Sequence, residues 1–341
     1  MKVSVLLGVI GLPLSVGAQT LDSSFFTLQT IKPGIIAAIA TPSHRENANA
    51  TIIVLDSVLM VVDAQQRPSA AAALIRQIRS ISPLPVKYLI NTHFHDDHVQ
   101  GNNQYRAAWP SVQIISSDAT RESLRDRGDP QLRNLLNSLP LEIDSLRRQV
   151  TTASPERRLA LEASLHRQEA YLRELRATKL LLPMMTFDQT LVFHVAGRTV
   201  ELRSVGRAHT DGDVLVYLPD DRVLVTGDVV DALSPWMGDS HPYAWIKVLG
   251  QISSYDIDYM IGGHGGIMRG TSRSREWHDY LQDLMAQTAS AFAAGASLET
   301  LRREVGARLI AKYANIFPAS FRDEVIGHIE RAYRVISGNT N

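Results

Sequence analysis

The stretch Asn91-Thr92-His93-Phe94-His95-Asp96-Asp97-His98 constrains this chain more than any other part of it. The apolar, β-prone run Val86-Lys87-Tyr88-Leu89-Ile90 leads straight into it, so three histidines and two aspartates gather where a buried strand has just ended. Side chains alternate along an extended chain, which puts His93 and His95 on one side; a tighter turn then aims Asp97 and His98 at a second point nearby. Imidazole and carboxylate are the ligands zinc takes when no thiolate is at hand. A lone histidine is usually a solvated loop residue, but a cluster this dense behind an apolar strand reads as a site for two adjacent metals.

Composition narrows the partners. The chain has 341 residues, 45% of them hydrophobic, which is ordinary globular material for one large domain or a domain with an insertion. Lys+Arg and Asp+Glu balance at 35 each, so no electrostatic footprint for nucleic acid or an anionic membrane is present, and a small-molecule substrate is the default. There is no cysteine, which excludes disulfides, thiolate ligands and a lipid carried on an N-terminal cysteine. Met1-Lys2, the apolar run Val3 to Leu14 and the small residues up to Ala18 read as a signal peptide, residues 1–18, with a mature protein from Gln19 that is periplasmic or secreted. The apolar run is short for a bilayer span, and no later run is long enough, so stable membrane insertion is not expected. Asn49-Ala50-Thr51 fits a glycosylation sequon.

Along the chain, Phe26 to Ile31, Gly34 to Ala40, Thr51 to Leu55 and Val58 to Val62 read as strands of an antiparallel meander, and Ser69 to Arg79 as a crossover helix. Helix, strand and helix follow at Gly101 to Ala108, Val112 to Ile115 and Asp118 to Arg125, which is α/β grammar. Residues 128–183 depart from it: rich in Leu, Arg, Glu and Gln, they read as an inserted helical hairpin with a solvated charged face, or in a sharper reading a lid or homo-oligomer contact. Strands resume at Thr190 to Val195, Arg198 to Val205, Asp213 to Leu218 and Arg222 to Thr226. After a helix from Trp245 to Ser253 and a strand from Tyr259 to Ile261, residues 273–336 are helical. The whole of 19–341 reads as one domain.

Three further candidates each follow an expected strand and carry glycines nearby: His209 in Gly206-Arg207-Ala208-His209-Thr210, Asp228 after Gly227, and His264 in Gly262-Gly263-His264-Gly265-Gly266. With these in place the chain resembles the metallo-β-lactamase-fold hydrolases, over Thr51 to Met268 apart from the hairpin. His93-Phe94-His95-Asp96-Asp97-His98 matches their His-x-His-x-Asp-His signature, and Ala208-His209-Thr210-Asp211-Gly212-Asp213, Thr226-Gly227-Asp228 and Gly263-His264-Gly265 match the later motifs. The resemblance implies an αβ/βα sandwich, an α+β fold of four layers, and two zinc ions per chain. Carried over by position, His93, His95 and His209 hold the first zinc, Asp97, His98 and His264 the second, and Asp228 bridges them. Two zincs about 3.5 to 4 Å apart bring the pKa of water from 15.7 down to about 7, and Asp97, the catalytic residue of this reading, orients the resulting hydroxide toward an ester, thioester, lactone or lactam carbonyl.

The flanks also resemble lactamases that bind their second zinc through a cysteine, but Asp228 stands where those have Cys, and Asp231 stands where a lysine commonly holds the β-lactam carboxylate. A charged Asp231 would repel it, so only weak β-lactamase activity is expected. A mononuclear iron oxygenase similar to persulfide dioxygenase, using His93, His209 and Asp228, is the competing reading; the export signal favours zinc. Trp236, Met237, His241 and Tyr243, just beyond Asp228, are expected to line a substrate pocket. His44, His166, His194, His278 and His328 read as surface or packing residues. Mass spectrometry of native protein is expected to find the N-terminus near Gln19; an intact Met1 would refute export by this signal.

Overall fold

A computed structural model describes residues 25–44, 46–195 and 197–338. The expected signal peptide, residues 1–18, and the mature start at Gln19 lie outside the described residues. The meander consists of β1 (Phe26–Lys32), β2 (Ile35–Ala40), β3 (Ala50–Leu55) and β4 (Val58–Val62), each antiparallel to the next. Helix α1 (Pro68–Ile81) crosses to β5 (Val86–Ile90), which runs parallel to β4. The short α2 (Asp96–Val99) and α3 (Asn102–Ala108) lead to β6 (Gln113–Ser117), and the hairpin α4 (Asp118–Thr152) and α5 (Pro155–Ala177) leads to β7 (Met185–Phe187), completing a seven-stranded sheet in the order β1 to β7.

A second sheet holds β8 (Thr190–Val195), β9 (Arg198–Gly206), β10 (Asp213–Leu218) and β11 (Val223–Gly227), then, after α6 (Pro242–Ile252), β12 (Tyr259–Gly262) and β13 (Met268–Arg269), in the spatial order β13-β12-β11-β10-β9-β8. Three helices close the chain: α7 (Ser272–Ala293), α8 (Leu298–Tyr313) and α9 (Phe321–Ile336). None of the described helices is long and apolar enough to cross a membrane.

Strand alternation sorts these elements into layers. On β4, Leu59 and Val61 pack with Ala70, Leu74 and Ile78 of α1, while Met60 and Val62 face Val214, Val216 and Leu218 of β10. Leu215, on the opposite face of β10, joins Trp245, Leu249, Trp277 and Leu281 under the C-terminal helices. Both sheets are thus covered on both faces, which is why their strands read as near-continuous apolar runs. Each large side chain so buried contributes about 1.5–3 kcal/mol. The order helix, sheet, sheet, helix is the αβ/βα sandwich that the resemblance implied.

The hairpin differs from expectation. Asp118 to Arg125 is not a separate helix ahead of an insertion at Gly128; α4 runs unbroken to Thr152 through Gly128, Pro130 and Pro140. An interior proline costs about 3 kcal/mol in an isolated helix, so packing must carry this one. Leu139 and Ile143 bury against Tyr171, Leu172 and Leu175 of α5, and Gly128 lets Leu124 and Leu180 close in.

The Asn49 sequon is structural in the folded protein. Asn49 is 3% exposed, its Nδ2 donates to the Gly262 and Gly265 carbonyls at 3.0 Å each, and its backbone N donates to Gly263 O at 2.6 Å. It ties the edge of the first sheet to the loop carrying His264. A comparable close approach occurs at Gly101, whose N donates to Gln65 O at 3.0 Å and whose added Cβ would lie 1.8 Å from Ala64 O. Gly101→Ala is therefore expected to lower stability by about 1–3 kcal/mol in urea unfolding, as overpacking does; an unchanged midpoint would refute the close packing.

Candidate metal centre

The loops that follow β4, β5, β9, β11 and β12 meet at one end of the two sheets. Asp63, directly after β4, adopts φ +67 and accepts hydrogen bonds from Thr92 N at 2.9 Å, from Thr92 Oγ1 at 2.9 Å and from His98 Nδ1 at 2.8 Å. That leaves His98 Nε2 turned inward. Sequence reasoning missed Asp63, although a carboxylate immediately after an apolar strand was a usable signal. After β9, Asp213 braces the turn beyond His209 by accepting from Thr210 N at 2.8 Å and Thr210 Oγ1 at 2.7 Å.

Two groups of side chains result. In the first, His93 Nε2 and His209 Nε2 lie 3.0 and 3.1 Å from His95 Nδ1, with Asp228 Oδ2 at 3.9 Å from His93 Nε2 and 3.6 Å from His209 Nε2. In the second, Asp97 Oδ2 is 2.9 Å from His264 Nε2 and 3.4 Å from His98 Nε2, while Asp228 lies 3.3 Å from His98 Nε2 and 3.5 Å from His264 Nε2. Within each group the potential ligand atoms lie within 4.8 Å of one another. All seven candidates converge, and Asp228 belongs to both groups.

The residues fit a pair of cations. Three imidazole nitrogens that face one another at these distances cannot all be donors, and His98 Nε2 and Asp228 Oδ1 are buried without a hydrogen-bond partner. Burial, with repulsion from His98 and His95, holds His93 well below the usual imidazole range; burial and then His95 take His209 down to about 3. Both are thus neutral, as a ligand must be. Burial opposes ionisation of Asp97 and Asp228, but the neighbouring His98 and His264 outweigh it and hold both carboxyls well below their usual range. His98 and His264 are raised well above 6.5, burial being outweighed by the carboxylates around them.

The metallo-β-lactamase superfamily pattern matches residues 45–264. The chain belongs to the metallo-β-lactamase superfamily. It is 26% identical over 244 residues to a linear primary-alkylsulfatase of Pseudomonas sp., a match that covers 67% of this chain and 43% of that relative. Among solved structures it is similar to the stereoselective inverting sec-alkylsulfatase Pisa1 from Pseudomonas sp., with TM-score 0.62 and 16% identity over 91% of this chain and 50% of that one. It is also similar to a metallo-β-lactamase from Pontibacter korlensis, with TM-score 0.56 and 16% identity over 75% of this chain and 99% of that one. These structural likenesses show the fold. The chain spans less than half the length of the curated alkylsulfatase and half that of Pisa1. Superfamily membership and the sulfatase relative support a hydrolase.

Around this superfamily's motifs lie partners that the sequence did not announce. His95 Nε2 is 2.9 Å from Asp239 Oδ2, and His209 Nδ1 donates to Trp236 O at 3.1 Å. Arg127 of α4 reaches Asp239 at 3.4 Å and Asp211 at 2.8 Å, its guanidinium 4.0 Å from the Phe94 ring centroid. No local pattern links a loop aspartate to an arginine on a long helix, so Asp239 and Arg127 carried no signal.

A cavity of about 700 Å³ opens beside His95, Asp97, Asp228 and His264, lined by Leu233, Pro235, Trp236 and Met237 on one side and by Gln131 and α9 on others. Trp236 and Met237 are among the residues that line this cavity. His241 and Tyr243 are not: His241 Nε2 is 2.9 Å from Asp211 Oδ1 and its carbonyl accepts from Trp245 N, while Tyr243 is exposed on the first turn of α6. Asp231, expected to repel a substrate carboxylate, is 5% exposed and accepts from Leu233 N at 2.6 Å; burial and then the negative charge of Asp228 push its carboxyl up to about 8. His166 and His194 are exposed, and His328 is buried at 2.6 Å from Tyr280 OH.

Asp63→Asn puts an amide donor or a lone neutral oxygen where His98 Nδ1–H now meets a carboxylate. We expect urea unfolding of the metal-free protein to show a loss of about 1–3 kcal/mol, the cost of an unsatisfied buried group. Wild-type stability in that variant would refute the bracing role.

Proposed function

We propose that this chain is an exported dinuclear zinc hydrolase that cleaves an ester bond. The observation that carries the reading is the convergence of seven side chains into two groups sharing one carboxylate. His93, His95 and His209 would hold one zinc, Asp97, His98 and His264 the other, with Asp228 common to both. Zinc supplies a Lewis acid and, by lowering the pKa of water to about 7, a nucleophile at neutral pH. The protein's own part is to keep His93 and His209 neutral, to keep Asp97 and Asp228 ionised, and to offer Asp97 as a hydrogen-bond acceptor beside the cavity. Leu233, Pro235, Trp236 and Met237 form an apolar wall that would accommodate an aliphatic part of the substrate.

Alkyl sulfate esters are the first substrate class to test, because the curated relative and Pisa1 are named for alkyl sulfates and the apolar wall gives an alkyl chain a place to lie. Carboxylic esters, thioesters and lactones follow. The iron oxygenase reading would need only His93, His209 and Asp228; the complete second group of Asp97, His98 and His264 supports two metals instead. Asp231, buried and bonded to Leu233 N, offers no cation for a β-lactam carboxylate. Loss of such a contact, about 1.5 to 3 kcal/mol, lowers efficiency roughly ten- to a hundredfold.

We expect metal analysis of purified protein to give about two zinc per chain, and a zinc-loaded preparation to cleave an alkyl sulfate or a neutral ester faster than a chromogenic β-lactam, with chelator abolishing all of these. One iron per chain would overturn the zinc reading. Turnover of the β-lactam near the diffusional limit, without ester cleavage, would overturn the substrate reading.

A further inference from the structure

The loop between β11 and α6, residues 228–241, supplies outer partners to two imidazoles of the first group: Trp236 O accepts from His209 Nδ1, and Asp239 Oδ2 lies 2.9 Å from His95 Nε2. One stripe of α9 holds that loop. Glu324 accepts from Ser234 Oγ, the His328 ring bonds the Pro235 carbonyl, and Arg331 donates through Nε at 3.0 Å and Nη2 at 2.6 Å to Ser240 O. Positions 324, 328 and 331 share one helical face, beside the face that buries Phe321, Val325, Ile329 and Ala332 against α7 and α8. Tyr280 OH, 2.6 Å from His328 Nδ1, fixes the middle of the stripe from α7. The clamped positions bracket Trp236 and Asp239, and the stripe lies beyond residues 45–264, the segment that matches the superfamily.

We propose that Glu324, His328 and Arg331 form a positioning element for the subsite of His93, His95 and His209, setting its affinity for metal from the C-terminal helix through the loop. The inference rests on the two-zinc reading above. None of the three residues belongs to the ligand groups, so their effect passes through Trp236 O and Asp239, which fix how the His209 and His95 rings are turned. Outer partners of this kind are worth about 10–100-fold in metal affinity, and a loop held at both ends by a packed helix keeps them in place. The second subsite takes most of its outer support elsewhere, His98 from Asp63 and the His264 loop from Asn49; the loop's own bond to it, Ala232 N to His264 O at 3.2 Å, lies ahead of the three clamped positions, so the clamp acts chiefly on the first subsite.

The test is zinc competition against a chromogenic chelator on the metal-free full chain, with no substrate present. Wild type is expected to bind two zinc, and His264→Ala, which lacks a ligand of the second subsite, identifies the step belonging to the first. Arg331→Ala and Glu324→Ala are expected to weaken the first step by about tenfold and leave the other within about twofold. Arg331→Lys, which restores one donor, should recover part of the loss. Arg334→Ala, on the cavity rim, should change neither step. The visible spectrum of the cobalt(II)-loaded Arg331→Ala protein is expected to change only in the bands of the first subsite. Equal weakening of both steps, or of neither, in the variants that keep the wild-type melting temperature would overturn the inference. Should Arg331→Ala unfold, Glu324→Ala and Ser234→Ala decide it alone. A wild type that binds fewer than two zinc would instead overturn the reading beneath it.

Discussion

One buried carboxylate organises the molecule. Asp228, 8% exposed, has imidazole nitrogens of His93, His98, His209 and His264 between 3.3 and 3.9 Å from its oxygens. Keeping that carboxylate ionised away from water takes positive charge or hydrogen-bond donors around it. No single loop can deliver donors from several directions, so strands of both sheets must end at one place. The parallel pairings of β4 with β5 and β11 with β12 do this, because parallel neighbours release their loops at the same edge. The crowding reaches the backbone: a Cβ on Gly263 would lie 2.0 Å from Asp228 Oδ1.

What the sequence revealed follows from the same geometry. Ligands placed at strand ends announce themselves, since an apolar run stops and a histidine or aspartate begins, with glycine where the chain must approach closely. Strand β4 also came out at its observed bounds, because its apolar run is closed by Asp56-Ser57 on one side and Asp63 on the other. Strands β7 and β13, with 3 and 2 residues, are too short to show any period and were missed. Glycine and proline in α4 read as a boundary because local propensity says so; the contacts with α5 that override it are made only in three dimensions. His241 and Tyr243 were assigned to the pocket by nearness in the chain, but the bond to Asp211 and the start of α6 turn them elsewhere. Asp239 could not be read at all, because its importance lies in the ring it faces.

The chain divides labour between its superfamily segment and what surrounds it. The convergent side chains all come from residues 45–264, and they are braced by the hairpin of α4 and α5 within that segment and by the C-terminal helices beyond it. The hairpin has a small core of its own around Leu139, Ile143, Tyr171, Leu172 and Leu175 and is fastened to the body by Glu174, which accepts from Arg67 Nη2 at 2.8 Å and from Ser69 N at 3.0 Å. Arg127, reaching from α4 to Asp239, makes the same hairpin part of the metal centre's surroundings.

Asn49 carries a consequence for how this protein can be produced. Its side-chain nitrogen is committed to two carbonyls of the loop that carries His264, and the residue is almost wholly enclosed. A glycan added to that nitrogen during synthesis, before the chain closes over it, would take away a donor and occupy space the folded protein does not have. A eukaryotic secretory host that modifies the site would divert those chains from folding, while bacterial expression or an Asn49-Ala50-Thr51 sequon broken at Thr51 would not. The same three residues are an address for a sugar in an open chain and a structural rivet in a closed one.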